Sequence, residues 1–465
     1  MSQSQKAKDF VRARLIAENE LPQVPDGWGV ERLRFLLTES KERNGAEPVG
    51  QMLSVSEYRG VVPKDYEYDE HRRTDAELEN YRVVRPGQLA VNSMWLNHLG
   101  LGVSEHLGHV SPAYGVYDVS PRLDTRFLHH LVRSNFYLKI YLRHLYGIRP
   151  NSFQIKSYDW ASIPIIVPDL PTQKRIAAFL DRETARIDEL IAKKERLFQL
   201  LTEHLRAAFD GLFLEGIATH AAFTSLPFQW MPRLPASWTL TKLKYLGEKG
   251  QKTTQMGPFG GMLTQLLQTD TGFKLYGQEN TISRDFSKGS RWVSEATFRE
   301  LSRYELKPGD IMLTRKGTLG KCASFPSGAV RGIADSDTIR IRLNHSLFSH
   351  WMLENTLQYA SYVSEQIALE KRGAILAGLN TSIIDNLLIA VPPMNEQQKI
   401  AAFGTKMLEK NSSLKESLIS SIDRLKEYRA ALITAAVTGQ INVDTYGKTG
   451  TTSATLDKIE EEMQA

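Results

Sequence analysis

Two stretches of the sequence have residue types that suit a catalytic centre. Asp26, followed by Glu39 and Lys41, has the Asp…Glu-x-Lys order of metal-dependent nucleases. Such short patterns arise often by chance. Glu39 falls where no strand is predicted, and the related stretch further on has Ala236 in the place of Asp26. Gly317, Gly320 and Lys321 suggest a phosphate loop, but the spacing is wrong and Cys322 stands where a Ser or Thr is needed. His129 and His130 are adjacent on a predicted helix, where neighbours do not face one ligand. No His-Glu-x-x-His and no Gly-x-Ser-x-Gly occurs. Cys322 is alone, which excludes an internal disulfide and a cysteine-rich zinc module. The expectation is no catalytic residue, no metal site and no cofactor held by this chain.

Binding chemistry is better represented. The formal net charge is +5, and between Arg122 and Lys156 seven basic residues face one acid, Asp124. Phe136, Tyr137, Tyr141 and Tyr146 are interleaved with them. A helix that is basic on one side and aromatic on the other can lie along phosphates. The plain alternative is a core helix with a solvated basic face. No apolar run approaches the roughly 20 residues that span a membrane. The N-terminus lacks the apolar core of a signal peptide, so the expected location is cytoplasmic.

What must position these residues is a sequence written twice. Ile163–Phe179 and Leu387–Phe403 correspond, with Pro168, Gln173, Ile176 and Phe179 answered by Pro392, Gln397, Ile400 and Phe403, each 224 places on. Each copy is a short apolar run, a proline stop and a long helical pattern. Pro392-Pro393-Met394 has a likeness to the Pro-Pro-aromatic loop of amino methyltransferases. Val391 and Met394 are the wrong flanks for that loop, and a strand-to-helix stop explains the prolines. Trp28-Gly29-Val30-Glu31-Arg32-Leu33-Arg34-Phe35-Leu36 likewise answers Trp238-Thr239-Leu240-Thr241-Lys242-Leu243-Lys244-Tyr245-Leu246. A fixed internal period decides the fold before any local motif does.

The first helical pattern places Leu190, Leu197 and Leu201 on an apolar seam, and the second places Leu414, Leu418 and Leu425 on another. Lys194 and Asn411 are polar positions on or near these seams that can fix register. Gly404 interrupts the second pattern. Strands are predicted at 51–55, 88–92, 114–119, 272–277, 310–314 and 338–343. Helices are predicted at 5–20, 124–145 and 347–367. The fold class is α+β: two similar globular domains separated by two long antiparallel coiled-coil helices, a pseudo-twofold internal repeat. The boundaries are an N-terminal helical segment at 1–22, a first domain at 23–170, a helix at 171–215 and a linker at 216–234. A second domain at 235–393, a helix at 394–440 and a flexible tail at 441–465 follow. Two heads held apart by a spacer suit a ligand with two sites, such as half-sites on duplex DNA.

At these residues the chain resembles the specificity subunits of type I restriction–modification enzymes. The resemblance rests on the two helix entries, on Leu53–Val62, Arg85–Met94 and Gly108–Tyr114 in the first unit, and on Gly257–Gly260 and Lys307–Ile311 in the second. It covers about residues 23–440. Asp169, Lys174 and Gln88 depart from the family pattern. The resemblance implies two target-recognition domains that read a bipartite, asymmetric site in double-stranded DNA. It implies docking of two methyltransferase subunits and of nuclease–translocase subunits, with S-adenosylmethionine, ATP and Mg2+ on those partners. It implies no catalysis by this chain and no membrane. The rival classes are a self-contained nuclease or methyltransferase, and a coiled-coil scaffold without a nucleic-acid role.

Base readout needs donors and acceptors on loops that can enter a groove. In the first unit these are Ser54, Ser56, Tyr58, Arg59, Asn92, Ser93, Trp95 and Tyr114, with Arg126, Arg133 and Arg143 for phosphates. In the second they are Lys252, Thr253, Gln255, Gln278, Asn280, Arg315, Lys316 and Asp337.

Overall fold

The computed structural model describes residues 21, 24–64, 74–147, 153–217, 222–258, 268–269, 271–315, 320–371 and 378–446. The expected helix at 5–20 lies outside them. The chain divides into two compact units, Met1–Glu195 with Leu418–Ala465, and Arg196–Ser417.

In the first unit an antiparallel sheet has the order Leu37–Glu39, Tyr114–Val119, Leu89–Asn92, Leu101–Val103. A second sheet runs Gly60–Pro63, Gln51–Ser56, Gly108–Val110, Arg82–Val84, with its two central strands parallel. The second unit repeats this plan. Its antiparallel sheet is Thr254–Met256, Thr338–Ile341, Ile311–Thr314, Cys322–Ser324. Its other sheet is Gln268–Thr269, Trp292–Val293, Phe273–Tyr276, Gly332–Ala334, again with one parallel pair, between the last two. The strands predicted from β-branched and apolar runs are present: Tyr114–Val119 has the predicted bounds, Gln51–Ser56 runs one residue further, and the other four are shortened at their ends.

Each unit also has a separate antiparallel pair that ties its first strand to the strand leading into a long helix. Gly29–Arg32 pairs with Pro164–Val167, and Thr239–Lys242 pairs with Leu388–Val391. The prolines then end the strand, and the helices Leu170–Glu215 and Met394–Val437 begin. The first has 46 residues, about 69 Å at 1.5 Å each.

Each long helix is split between the units, so each unit has its own helix pair. In the second unit the Asn411 side-chain amide donates to the Leu201 carbonyl (3.1 Å), and the Lys415 ammonium lies 5.0 Å from the Phe198 ring centre. Phe209 faces Gly404. The two helices therefore run antiparallel. A Cβ at Gly404 would stand 2.3 Å from the Trp351 ring, so this glycine makes room for an aromatic packed on the helix. In the first unit Leu190 and Leu425 are buried in one core, and Arg429 holds both carboxylate oxygens of Asp188 (2.8 and 3.1 Å).

The expected seam is corrected at mid-helix. Leu197 and Leu414 are each 43% exposed, and Leu201 and Leu418 are only half-buried. Two helices cover each other on one side only, and there the charged flanks leave part of the apolar stripe open. Lys194 and Asn411, the polar seam positions, are buried.

Other expectations also change. The helix predicted at 124–145 is two helices, Thr125–Val132 and Asn135–His144. Arg133 leaves helical geometry, and Ser134 caps the second helix by accepting from the Tyr137 N–H. The helix predicted at 347–367 likewise breaks at Ala360, into His350–Tyr359 and Ser361–Lys371. The expected linker contains a hairpin, Phe223–Phe228 with Met231–Pro235, whose Trp230 stacks between Phe228 and Tyr362. The tail is packed as far as Tyr446, whose ring meets Phe179 edge-on at 4.8 Å and whose hydroxyl bonds that of Tyr428.

The departure at Gln88 is answered within the fold. In the second unit the buried Asp310 carboxylate takes a two-pronged bond from Arg342 (2.7 and 2.6 Å) and accepts from the Lys307 N–H (2.7 Å). In the first unit Gln88 takes the same turn contact, from the Arg85 N–H (2.8 Å). Its amide donates to Asp118 (2.8 Å), at the place corresponding to Arg342. An ion pair in one copy is an amide–carboxylate pair in the other.

Candidate nucleic-acid interface

In the first unit the strands Gln51–Ser56 and Gly60–Pro63 are joined by a tight turn. The Ser56 hydroxyl accepts the N–H groups of Tyr58 and Arg59 (both 3.3 Å), and Gly60 has φ +73°. Ser56 therefore shapes the turn, while Tyr58 and Arg59 project from it, both exposed. Lys426 lies 5.6 Å from the Tyr58 ring centre. Ser54 is half-buried within its strand. Arg59 and Arg126 line one cleft of about 510 Å³. On its wall Asp181 accepts from His130 (2.8 Å) and Arg126 (3.1 Å). The hydrogen bond from His130 holds the Asp181 carboxyl below its ordinary value. His129 beside it turns inward, with Nδ1 3.4 Å from the Val103 carbonyl. Burial, then the Arg133 charge, push its imidazole down to about 3.

A second cleft, of about 390 Å³, holds Ser93 and Tyr114 together with Trp160. Tyr114 accepts from the Asn92 amide (3.1 Å), and burial pushes its phenol up, so it stays a neutral donor. Asn92 itself is buried, and its carbonyl oxygen accepts from the Met94 N–H (3.2 Å). It orients Tyr114 and closes the turn. Trp95 is exposed on that turn, 5.4 Å from the His98 ring.

The basic helix is corrected. Arg133 donates to the Leu99 (3.0 Å), Leu101 (2.5 Å) and Glu57 (2.5 Å) carbonyls, and burial pulls its guanidinium down to about 10. It ties the Leu99–Leu101 segment to the Glu57 turn and has little left for a phosphate. Arg126 and Arg143 are exposed.

In the second unit Lys252, Thr253 and Gln255 gather at a cleft of about 460 Å³. Lys252 is exposed. Thr253 is buried and donates to the Lys244 carbonyl (2.8 Å), a structural bond. The Gln255 amide donates to the Met256 carbonyl (2.9 Å), which leaves its oxygen as an acceptor. Asn280 is fully buried and satisfied by Gly277, Asp285 and Lys288, so it cannot meet a base. Gln278 is half-buried beside it. Arg315 spends its guanidinium on the Leu379 (3.0 Å) and Ser336 (3.4 Å) carbonyls, which argues for a positioning role. Asp337 is half-buried, its N–H bonded to Asp335 (3.1 Å). Lys316 lies outside the described residues.

The structure thus brings together Arg59 with Arg126, Ser93 with Tyr114, and Lys252 with Gln255. It also shows two exposed cation–ring pairs that inspection of loops missed, Arg34–Phe35 and Lys244–Tyr245. Their signal was in the repeat that opens each unit. Glu39 of the nuclease-like order is paired with Arg82 (2.7 Å).

Two heads of one topology, each with polar and basic side chains around a cleft and each joined to half of a long helix pair, define a two-site recognition protein. Residues 267–424 match the type I restriction modification DNA specificity domain. The chain is similar to the putative type I restriction enzyme MjaX specificity subunit of Methanocaldococcus jannaschii, 20% identical over 481 aligned positions, covering 94% of this chain and 99% of that one. It is also similar to the type I restriction enzyme StySPI specificity subunit of Salmonella potsdam, 24% identical over 360 positions, covering 73% and 72%. One solved structure, from work on assembly and conformational transition of the type I R-M system, shares the fold with a TM-score of 0.65 at 16% identity. It covers 90% of this chain and 100% of that one. Over nearly its whole length the chain is thus similar to specificity subunits of type I restriction–modification enzymes.

Proposed function

We propose that this subunit reads a bipartite, asymmetric site in double-stranded DNA, each unit reading one half. The observation that carries this is one topology with two sets of cleft residues. The antiparallel sheet has the same strand order in both units, yet Ser93 and Tyr114 line the cleft in one and Lys252 and Gln255 in the other. Equal frames with unequal donors and acceptors suit two different half-sequences. Arg59, Arg126, Arg143 and Lys252 supply charge for phosphates, which position a duplex without specifying it.

The long helices dock two methyltransferase subunits and bring in the nuclease–translocase subunits. The exposed Leu197, Leu200 and Leu414 support a protein-facing role. The chain itself is non-catalytic and cytoplasmic. The assembled complex methylates adenine and cleaves DNA with ATP, its S-adenosylmethionine, ATP and Mg2+ being held by partners. Among the described residues no helix is long and apolar enough to cross a membrane.

Mapping methylated adenines in DNA exposed to the assembled enzyme tests the reading. The expected result is two short half-sequences at a constant gap, with Gln255→Ala relaxing a position in only one. A continuous motif, or methyl transfer by this chain alone, would overturn it.

A further inference from the structure

The opening strand of each unit runs into a short 3-10 turn, Leu33–Phe35 in one and Leu243–Leu246 in the other. With three residues per turn, side chains at i and i+3 fall on one side. Leu33 and Leu36, like Leu243 and Leu246, are buried on that side. The two residues between them must then point outward. They are Arg34-Phe35 and Lys244-Tyr245, a cation followed by an aromatic in both copies. Phe35 is 64% exposed and Tyr245 is 65% exposed. The Arg34 guanidinium lies 5.1 Å from its neighbour's ring centre and the Lys244 ammonium 5.2 Å. One exposed ring needs no explanation. The same exposed pair at matching positions, in two units whose clefts otherwise differ, does.

Each cation also lines the cleft of its own unit. Arg34 borders the cleft that holds Ser93 and Tyr114, and Lys244 borders the one that holds Lys252 and Gln255. The opposite walls correspond as well, being the helices Ser157–Ser162 and Thr381–Asn386. The acid lining each cleft already has a partner in that cleft. Glu39 pairs with Arg82 (2.7 Å), and Asp385 accepts from the Thr254 hydroxyl (2.8 Å).

We propose that Arg34–Phe35 and Lys244–Tyr245 are equivalent backbone clamps for duplex DNA, one per unit. This rests on the DNA-reading function proposed above. The cation holds a phosphate, and the ring packs on the deoxyribose beside it. The duplex is thereby seated so that the polar groups of the same cleft meet base edges. Phosphate contacts of this kind fix register and carry no sequence information.

The test uses the full chain assembled with its methyltransferase subunits, and mixed-sequence duplex fragments over a salt series. Arg34→Ala and Lys244→Ala should each weaken binding to every sequence by about tenfold near 0.1 M salt and lower the log–log salt slope by about 0.9. The double variant should lose about twice that slope, and Arg34→Lys should restore it. Phe35→Ala with Tyr245→Ala should weaken binding with the slope unchanged. All variants should melt as the parent does, and the positions of methylated adenines should not move. An unchanged slope and affinity in the double variant would overturn the clamp. So would lost methyltransferase assembly with normal DNA binding, which would make the pair a protein-docking surface. A parent complex with no salt-dependent DNA binding would instead remove the underlying function.

Discussion

Gln173 and Gln397 make the same three hydrogen bonds, each inside its own unit. The Gln173 carbonyl oxygen accepts from the Asp124 N–H (2.7 Å), and its amide donates to the Arg122 (3.0 Å) and Pro168 (2.8 Å) carbonyls. The Gln397 oxygen accepts from the Ser349 N–H (3.0 Å), and its amide donates to the Leu347 (3.0 Å) and Pro392 (2.9 Å) carbonyls. Both side chains are buried. Each glutamine fastens the first turn of a long helix to the loop that starts the domain's own helices. This is the physical content of the repeated helix-entry motif. A buried backbone group left without a partner costs about 1–3 kcal/mol. Gln173→Ala and Gln397→Ala should therefore each destabilise their own unit by several times the usual surface substitution. Hydrogen exchange read unit by unit checks this; uniform loss of protection in both units would contradict it.

The Asp310–Arg342 pair should be a coupled pair. Asp310→Ala leaves a buried guanidinium without its carboxylate, which costs about 3–5 kcal/mol. Asp310→Gln with Arg342→Asp copies the Gln88–Asp118 arrangement into the second unit and should cost far less than either change alone. Urea unfolding of the two single variants and the double checks it. Additive losses would show that the two copies do not use interchangeable pairs.

The first unit should weaken in mild acid. The His129 imidazole titrates at about 3 in the folded chain, against 6.5 ordinarily. Between those values the unfolded chain binds a proton that the folded chain refuses, so stability is full above about 6.5 and falls as pH drops toward 3. His129→Gln should flatten that part of the profile. Urea midpoints of parent and variant, measured from neutral pH downward, check the sign; equal slopes would remove His129 as the cause.

Seam positions should differ in cost. Leu425→Ala, at a buried site, should cost about 2–5 kcal/mol. Leu197→Ala, at a half-open site, should cost little more than a surface change, about 0.5 kcal/mol. If Leu197→Ala nevertheless impairs methyltransferase assembly, the open stripe is a docking surface. Thermal melts and pull-down of the methyltransferase subunit separate the two effects.

Lengthening the first helix tests its role as a spacer. Four residues inserted after Glu195 add about 6 Å and turn the helix by about 40° beyond a full turn. The expected outcome is a changed gap in the methylated motif with both half-sequences kept. Altered bases at an unchanged gap would count against the spacer.

The duplication, the long helices and the strand-to-helix stops were legible in the sequence, because periodicity and proline act locally. The helix ends fell within a few residues of Leu170–Glu215 and Met394–Val437 for that reason. The breaks at Ser134 and Ala360 were less legible, since the apolar pattern continues through both. The identity of the reading residues was the least legible. Asn92, Asn280, Thr253, Arg133 and Arg315 carry the right donors and acceptors, but the folded chain spends them internally: Arg133 and Arg315 on carbonyls distant in sequence, Asn280 and Thr253 on nearby backbone groups, and Asn92 on Met94 and Tyr114. Arg34 and Lys244 were passed over because they sit in short stretches of alternating polar and apolar residues that read as strand openings rather than loops. The sequence determined which polar groups exist and where helices start. Only the folded chain decided which of those groups are satisfied internally, because a buried donor must find a partner and that partner can lie far along the chain, 76 residues away for Arg133 and Glu57 and 210 for Asn411 and Leu201.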